Sequence, residues 1–384
     1  MIMFLRGPAH VDFNLTNGCN LACAHCHSSS GPKLDNELKT EEILRVIKDL
    51  HEMGTLKIAF AGGEPFIRPD IIEILEFSCS LPGWSVSVIT NGLFLHNKNV
   101  NLLKEKCSNL NINVSIDGST PEKYTVLRKQ VNNPNFNPVP VFEKLKEGVK
   151  NVVKAGFNTS INFTVTKATA EDIYDTYKLA MDLGANALVG IKFFPGGYGR
   201  KHLDMFELPF TEWSQVFASL TKEKIKGNYS KMQISVPSPW EFYLPLIEQD
   251  IDIELAEHLW NYRSPLREAE FKKRNTIGDI LGKAELSVSS NGEVYPTVLV
   301  IGENQLECGN LRNESINEIW KNSSVLQNIR ELEISSLKGS CNNCSFQSIC
   351  GGGSRSRAYA QDRSLMSKDY MCPLINVKRE EKYA

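Results

Sequence analysis

Thr16-Asn17-Gly18-Cys19-Asn20-Leu21-Ala22-Cys23-Ala24-His25-Cys26 places three cysteines within eight residues, directly after Val11 to Thr16, which reads as a first strand. Three thiolates this close can wrap one metal centre. A cubane iron–sulfur cluster has four irons, each needing an outer ligand. Three protein thiolates would leave one iron open, and an open coordination position marks a reactive rather than a structural site. Spacing alone also permits a zinc site completed by His25 or His27, or a redox thiol pair.

Downstream, strand-like and helix-like segments alternate. Lys57 to Ala61, Trp84 to Thr90, Asn111 to Ile116, Thr159 to Thr166 and Ala187 to Phe194 read as strands. Between them Thr40 to Met53, Ile71 to Cys79, Asn101 to Lys106, Phe142 to Ala155 and Ala170 to Leu183 carry helical spacing, and Gly156 and Gly184 act as stop signals. Counting Val11 to Thr16, six strands alternate with helices, so the fold class is α/β with a parallel sheet and right-handed crossovers. The expected architecture is a partial (β/α)6 TIM-like barrel, with the active site at the C-terminal strand ends.

We divide the chain into a barrel core at 1–205, a bridging segment at 206–283 and a cysteine-rich extension at 284–384. The bridge holds helix-like stretches at Thr211 to Lys222 and Pro245 to Tyr262. The extension opens with a hairpin turning at Asn291-Gly292, then a helix from Ser315 with Glu318 at the capping-box position. Asn132 to Pro140 reads as a loop.

With 384 residues, 41% of them apolar, the chain has ample material for a buried core. The formal charge of −2 gives no reason to expect nucleic-acid or electrostatic membrane binding. No apolar run approaches the roughly 20 residues of a membrane span. No secretion signal is visible, so the cytoplasm is the default location. In a reducing compartment ten cysteines point to metal or redox chemistry rather than disulfides. Cys79 and Cys107 read as isolated core residues, and Cys308 stands apart.

The Cys-x3-Cys-x2-Cys loop after a first strand resembles the signature of the radical S-adenosylmethionine (SAM) superfamily. Gly62-Gly63-Glu64-Pro65, ending the second strand, resembles that family's SAM-contacting motif. The resemblance implies a SAM-binding 4Fe-4S cluster on Cys19, Cys23 and Cys26, reductive cleavage of SAM, and hydrogen abstraction by a 5′-deoxyadenosyl radical. Glu64 would accept from the SAM ammonium. Thr90, Asn91, Ser115 and Asp117 sit at strand ends where the family contacts SAM, and Ser115 and Arg128 would meet its ribose or carboxylate. The glycines of Lys192 to Arg200 would allow close approach to SAM or substrate.

Cys341, Cys344, Cys350 and Cys372, with Gly351-Gly352-Gly353-Ser354-Arg355, resemble the SPASM extension. A four-cysteine zinc ribbon fits the spacing as well. Thr297 and Ser354 stand where the fuller pattern carries cysteines, so one auxiliary 4Fe-4S cluster is expected, not two. The stretch Cys23 to Gly31 is most like maturases of the mycofactocin type. That resemblance implies a precursor peptide as substrate, with a crosslink, a decarboxylation or an epimerisation as outcome. Oxidation or decarboxylation of a small-molecule cofactor or natural-product precursor is the alternative, and a non-catalytic metal-binding scaffold a third. An electron donor such as flavodoxin or ferredoxin is implied. Because the motif begins at Cys19, a separate leader-binding protein is expected. Tyr198, His202 and Tyr262 are candidate substrate contacts; no general base is assigned.

Overall fold

The outward faces of the strands explain why they form a curved sheet under helices. Val11 and Phe13 on β1 (His10–Asn14), Ile58 and Phe60 on β2 (Lys57–Ala61), and Val86 and Val88 on β3 (Ser85–Thr90) are all at most 2% exposed. Ile112 and Val114 on β4 (Asn111–Ser115) and Ile161 and Phe163 on β5 (Asn158–Val165) continue the stripe. They pack against buried helix residues such as Ile43, Ile47 and Leu50 of Thr40–Glu52 and Leu145 and Val149 of Pro138–Lys154. The alternating positions, including Asp12, Ser87, Asn113 and Asn162, face an interior cavity instead. Period-two alternation therefore separates an apolar, helix-covered face from a polar, inward one.

The computed structural model describes residues 5–129, 137–262 and 277–376. Its strands form one ten-stranded sheet in the order β10-β9-β8-β1-β2-β3-β4-β5-β6-β7, with β6 at Ala187–Lys192. The sheet is open, so the expected partial barrel is what the chain forms. It contains more than the six expected strands. The bridge supplies β7 (Met232–Ser235), parallel to β6. The extension supplies β8 (Glu285–Val288), parallel to β1, with His10 opposite Glu285. Hydrogen bonding therefore crosses the borders drawn at 205/206 and 283/284. The hairpin expected at Asn291-Gly292 joins β8 to β9 (Glu293–Tyr295), and β10 (Gly309–Asn310) completes the edge.

One expectation changes. Pro245 to Tyr262 is not one helix but the end of Pro239–Glu248 followed by Ile253–Trp260. Asp252 caps the second by accepting from the Leu255 backbone N–H at 2.9 Å, which starts a new helix rather than continuing the old one. Cys107 is buried in the core and Cys79 of helix Ile71–Ser80 packs against it, as their reading as core residues expects. The loop expected at Asn132 to Pro140 falls mostly outside the described residues, and helix Pro138–Lys154 begins inside it with Asn137 as N-cap. The capping box at Ser315 and Glu318 forms as expected. Among the described residues no helix is long and apolar enough to cross a membrane.

Candidate active site and cysteine centres

The loop after β1 is held by short backbone contacts to the loop after β2. Gly63 N–H donates to the Thr16 carbonyl at 2.7 Å, and Glu64 N–H to the Gly18 carbonyl at 2.8 Å. A β-carbon on Gly63 would collide with the Gly18 carbonyl oxygen and stand 2.5 Å from its carbon. Gly62 sits at φ +129°, with its missing β-carbon aimed at the Thr16 carbonyl. Both glycines are thus required by close approach of backbone to backbone. Gly197, at φ +48°, plays the same part on the other side: a β-carbon there would stand 2.5 Å from the Cys26 carbonyl oxygen. The glycines of Lys192 to Arg200 therefore serve the cysteine loop itself.

Cys19, Cys23 and Cys26 line one cavity of about 190 Å³ with Gly62, Gly63, Thr90, Asn91, Ser115 and Arg128. Burial pushes the Cys19 thiol up to about 11 and the Cys23 thiol to about 12. Partly buried thiols need nearby positive charge if they are to be thiolates. The Arg128 guanidinium supplies some, donating to the Cys23 sulfur at 3.7 Å. An iron–sulfur cluster would supply the rest, so the donor set and the glycine cradle fit one. When bound, such a cluster provides the electron that cleaves SAM.

Asp117 does not reach the cavity wall. It is fully buried, accepting from Arg128 Nε at 2.6 Å and from the Thr164 backbone N–H at 2.6 Å. Burial by itself would raise this carboxyl, but Arg128 and then His25 hold it below the usual range. It orients Arg128 and braces His25, whose Nε2 lies 3.4 Å away. His25 is neutral near pH 7, since burial drives it down to about 4.

Glu64 is likewise turned inward. Its carboxylate accepts from Thr90 Oγ1 at 2.8 Å, Asn91 N–H at 2.8 Å and Phe66 N–H at 3.1 Å. It ties the loops after β2 and β3 together and does not line the cavity, nor does Pro65, which opens a short 3-10 turn. Burial raises the Glu64 carboxyl to about 7 from 4.5, the hydrogen bonds offsetting only part of it. Protonation then favours the fold, so this contribution is complete below about pH 4.5 and is lost as pH rises through about 7. In urea denaturation of the metal-free chain, Glu64→Gln is expected to flatten that loss, worth at most about 3 kcal/mol.

A second cavity of about 600 Å³ fills the barrel interior. Asp12, Ile89 and Val298 line both it and the thiol cavity, so the two adjoin. Its walls carry side-chain amides and hydroxyls, among them Asn113, Ser160, Asn162 and Gln233, together with Asp12 and Glu285. These residues were missed in the sequence, although polar side chains at every second strand position were the available signal. Tyr198, His202 and Tyr262 line neither cavity. His202 packs on Phe206, and Tyr262 stacks on Phe242 with ring centroids 4.1 Å apart.

Cys341, Cys344, Cys350 and Cys372 line a third cavity, walled by Trp240, Phe346 and Asp369. Cys308 is buried in the main core and donates to the Leu306 carbonyl, away from all three cavities. Among the described residues no three Cys, His, Asp or Glu side chains stand at the spacing of a single metal ion.

An open parallel barrel with three thiols over a glycine cradle, and four more thiols in an appended module, defines an enzyme class that cleaves SAM reductively to make a radical. Comparison with known proteins agrees. The Radical SAM superfamily profile matches residues 13–180, and that of the SPASM iron–sulfur cluster-binding domain matches 281–345. An AdoMet-dependent heme synthase of Methanosarcina barkeri is 29% identical over 378 residues, covering 97% of this chain and 98% of its own. The mycofactocin maturase MftC of Mycobacterium tuberculosis is 23% identical over 369 residues, covering 96% and 83%. SuiB of Streptococcus suis bound to precursor peptide SuiA shares the fold, with a TM-score of 0.74 at 17% identity over 97% of this chain and 77% of that one. The chain thus carries a radical SAM domain over residues 13–180 and a SPASM domain over residues 281–345. Its cofactors are SAM, a 4Fe-4S cluster and further iron–sulfur in the SPASM domain.

Proposed function

We propose that this enzyme abstracts a hydrogen atom from a precursor peptide whose reacting residue enters the barrel interior beside the SAM cavity. The observation that carries this reading is the set of side-chain amides and hydroxyls in the mixed lining of the 600 Å³ interior. Its size suits a ligand site. Amides and hydroxyls match peptide N–H and C=O groups, which cost free energy if buried unpaired. Similarity to MftC, named as a maturase, supports it. Cys19, Cys23 and Cys26 would hold the SAM-binding cluster, and Gly62, Gly63, Thr90, Asn91, Ser115 and Arg128 would surround SAM. Cys341, Cys344, Cys350 and Cys372 would hold a single auxiliary 4Fe-4S cluster. A cytoplasmic flavodoxin or ferredoxin would supply the electron.

One observation favours a second reading. The heme synthase similarity runs the length of both chains, and an Fe-coproporphyrin III synthase of M. barkeri is 25% identical over 378 residues. On this reading the substrate is a haem precursor, oxidised or decarboxylated. The reduced, reconstituted enzyme should be given SAM with either a short peptide encoded beside its gene or iron-coproporphyrin III. A peptide mass change with stoichiometric 5′-deoxyadenosine supports the first reading. Conversion of the porphyrin alone supports the second and overturns the first.

A further inference from the structure

Between the barrel interior and the four-thiol cavity runs a chain of four buried charges that SAM chemistry at the first cluster does not use. Lys192, ending β6, lines the interior and places Nζ 2.6 Å from Glu241 Oε1. Arg357 grips the same carboxylate through both terminal nitrogens, at 2.7 and 3.0 Å. It also grips Asp369 through Nε at 3.0 Å and Nη2 at 2.7 Å. Asp369 in turn accepts from Trp240 Nε1 at 3.0 Å and from the Ser354 backbone N–H at 3.0 Å, and both Asp369 and Trp240 wall the thiol cavity. All four charged residues are at most 2% exposed.

Such an arrangement is costly. Taking four charges out of water carries a large desolvation penalty, and well-packed apolar residues would often be at least as stable. Burial also weakens screening, so a charge change at one end is felt at the other. The sequence brings these residues from β6, helix Pro239–Glu248, helix Arg355–Asp362 and the final loop. A latch would need only one pair; four charges in series make a line from one cavity to the other.

We infer that the Lys192–Glu241–Arg357–Asp369 chain couples the barrel interior electrostatically to the auxiliary centre, with Lys192 as a positioning residue that helps set that centre's reduction potential. This rests on the reading that Cys341, Cys344, Cys350 and Cys372 hold a cluster. Removing the Lys192 ammonium leaves Glu241 under-compensated, adds net negative charge to the line and makes reduction of the centre harder.

The test is a potentiometric titration of the full-length reconstituted chain, followed by electron paramagnetic resonance. Lys192→Met should lower the midpoint potential of the auxiliary cluster, changing its reduced-to-oxidised ratio at fixed potential by about tenfold, or about 59 mV for one electron. The SAM-site cluster should stay unchanged. Lys192→Gln keeps a donor toward Glu241, guards against loss of folding and should shift the same way. Lys192→Arg should restore the wild-type value. An unshifted auxiliary potential in both neutral variants, even with a lower melting temperature, would reduce the chain to a structural latch and overturn the inference. Iron near four per wild-type chain, with no second cluster signal, would overturn the cluster reading and the inference with it.

Discussion

Gly63→Ala is expected to cut SAM cleavage by at least about 100-fold, with Gly62→Ala close behind. The reason is local and steric. A methyl group at Gly63 strikes the Gly18 carbonyl oxygen, and that oxygen already accepts from Glu64 N–H at 2.8 Å. Neither partner is a flexible side chain that can swing away. The loop after β1 must move, and Cys19 moves with it, since Cys19 N–H is pinned to the Gly31 carbonyl at 2.8 Å. A displacement of about 1 Å at a reacting centre can cost 100-fold in rate. Gly62→Ala adds strain at φ +129° to a clash with the Thr16 carbonyl. The check is 5′-deoxyadenosine formation under reductant, with circular dichroism to confirm a folded chain. Near-wild-type cleavage by Gly63→Ala would mean that the two loops do not pack as described.

The second large effect concerns iron. The double variant Cys344→Ala/Cys350→Ala is expected to bring iron from about eight per chain to about four. Two remaining thiols in the third cavity are too few for a cubane. That cavity shares no lining residue with the one holding Cys19, Cys23 and Cys26, so the loss should stay local. SAM cleavage without substrate should then persist within a few-fold, while substrate turnover falls to background. The melting temperature should also drop, because ligand binding is part of the folding free energy of such modules. Iron analysis and turnover assays on one preparation check both halves. An unchanged iron content would contradict the assignment of these four cysteines.

What could be read from the sequence follows from how local each signal was. Cys19, Cys23 and Cys26 lie on one loop, so their spacing carried the chemistry, and Gly62-Gly63 stood where backbone crowding demands glycine. Apolar spacing marked most of the helices. The fourth to sixth parallel strands were legible because Asn111 to Ile116, Thr159 to Thr166 and Ala187 to Phe194 are each flanked by clear helices. β7 was not, since Met232–Ser235 is four residues long and only half buried. Nor was the parallel pairing of β8 with β1, which joins His10 to Glu285. The inward hydrogen bonds of Asp117 and Glu64 were not legible, because their partners, Arg128 and Thr90, are brought there by tertiary packing that no local pattern encodes. Lys192 finds Glu241 49 residues away, and Arg357 finds it from 116 residues beyond, so that network had no local trace at all. The polar interior was visible in principle. Asp12, Ser87, Asn113 and Ser160 alternate with buried aliphatics, and the pattern reports a hollow barrel once the apolar face is known to point outward.

The most direct measurement is 5′-deoxyadenosine produced from SAM by the anaerobically reconstituted, dithionite-reduced chain, beside the variant carrying alanine at Cys19, Cys23 and Cys26. Wild type should form it and the triple variant should give only the reductant background, while retaining the iron of the C-terminal thiols. Equal cleavage by the two, or none by a wild-type chain fully loaded with iron, would contradict the account.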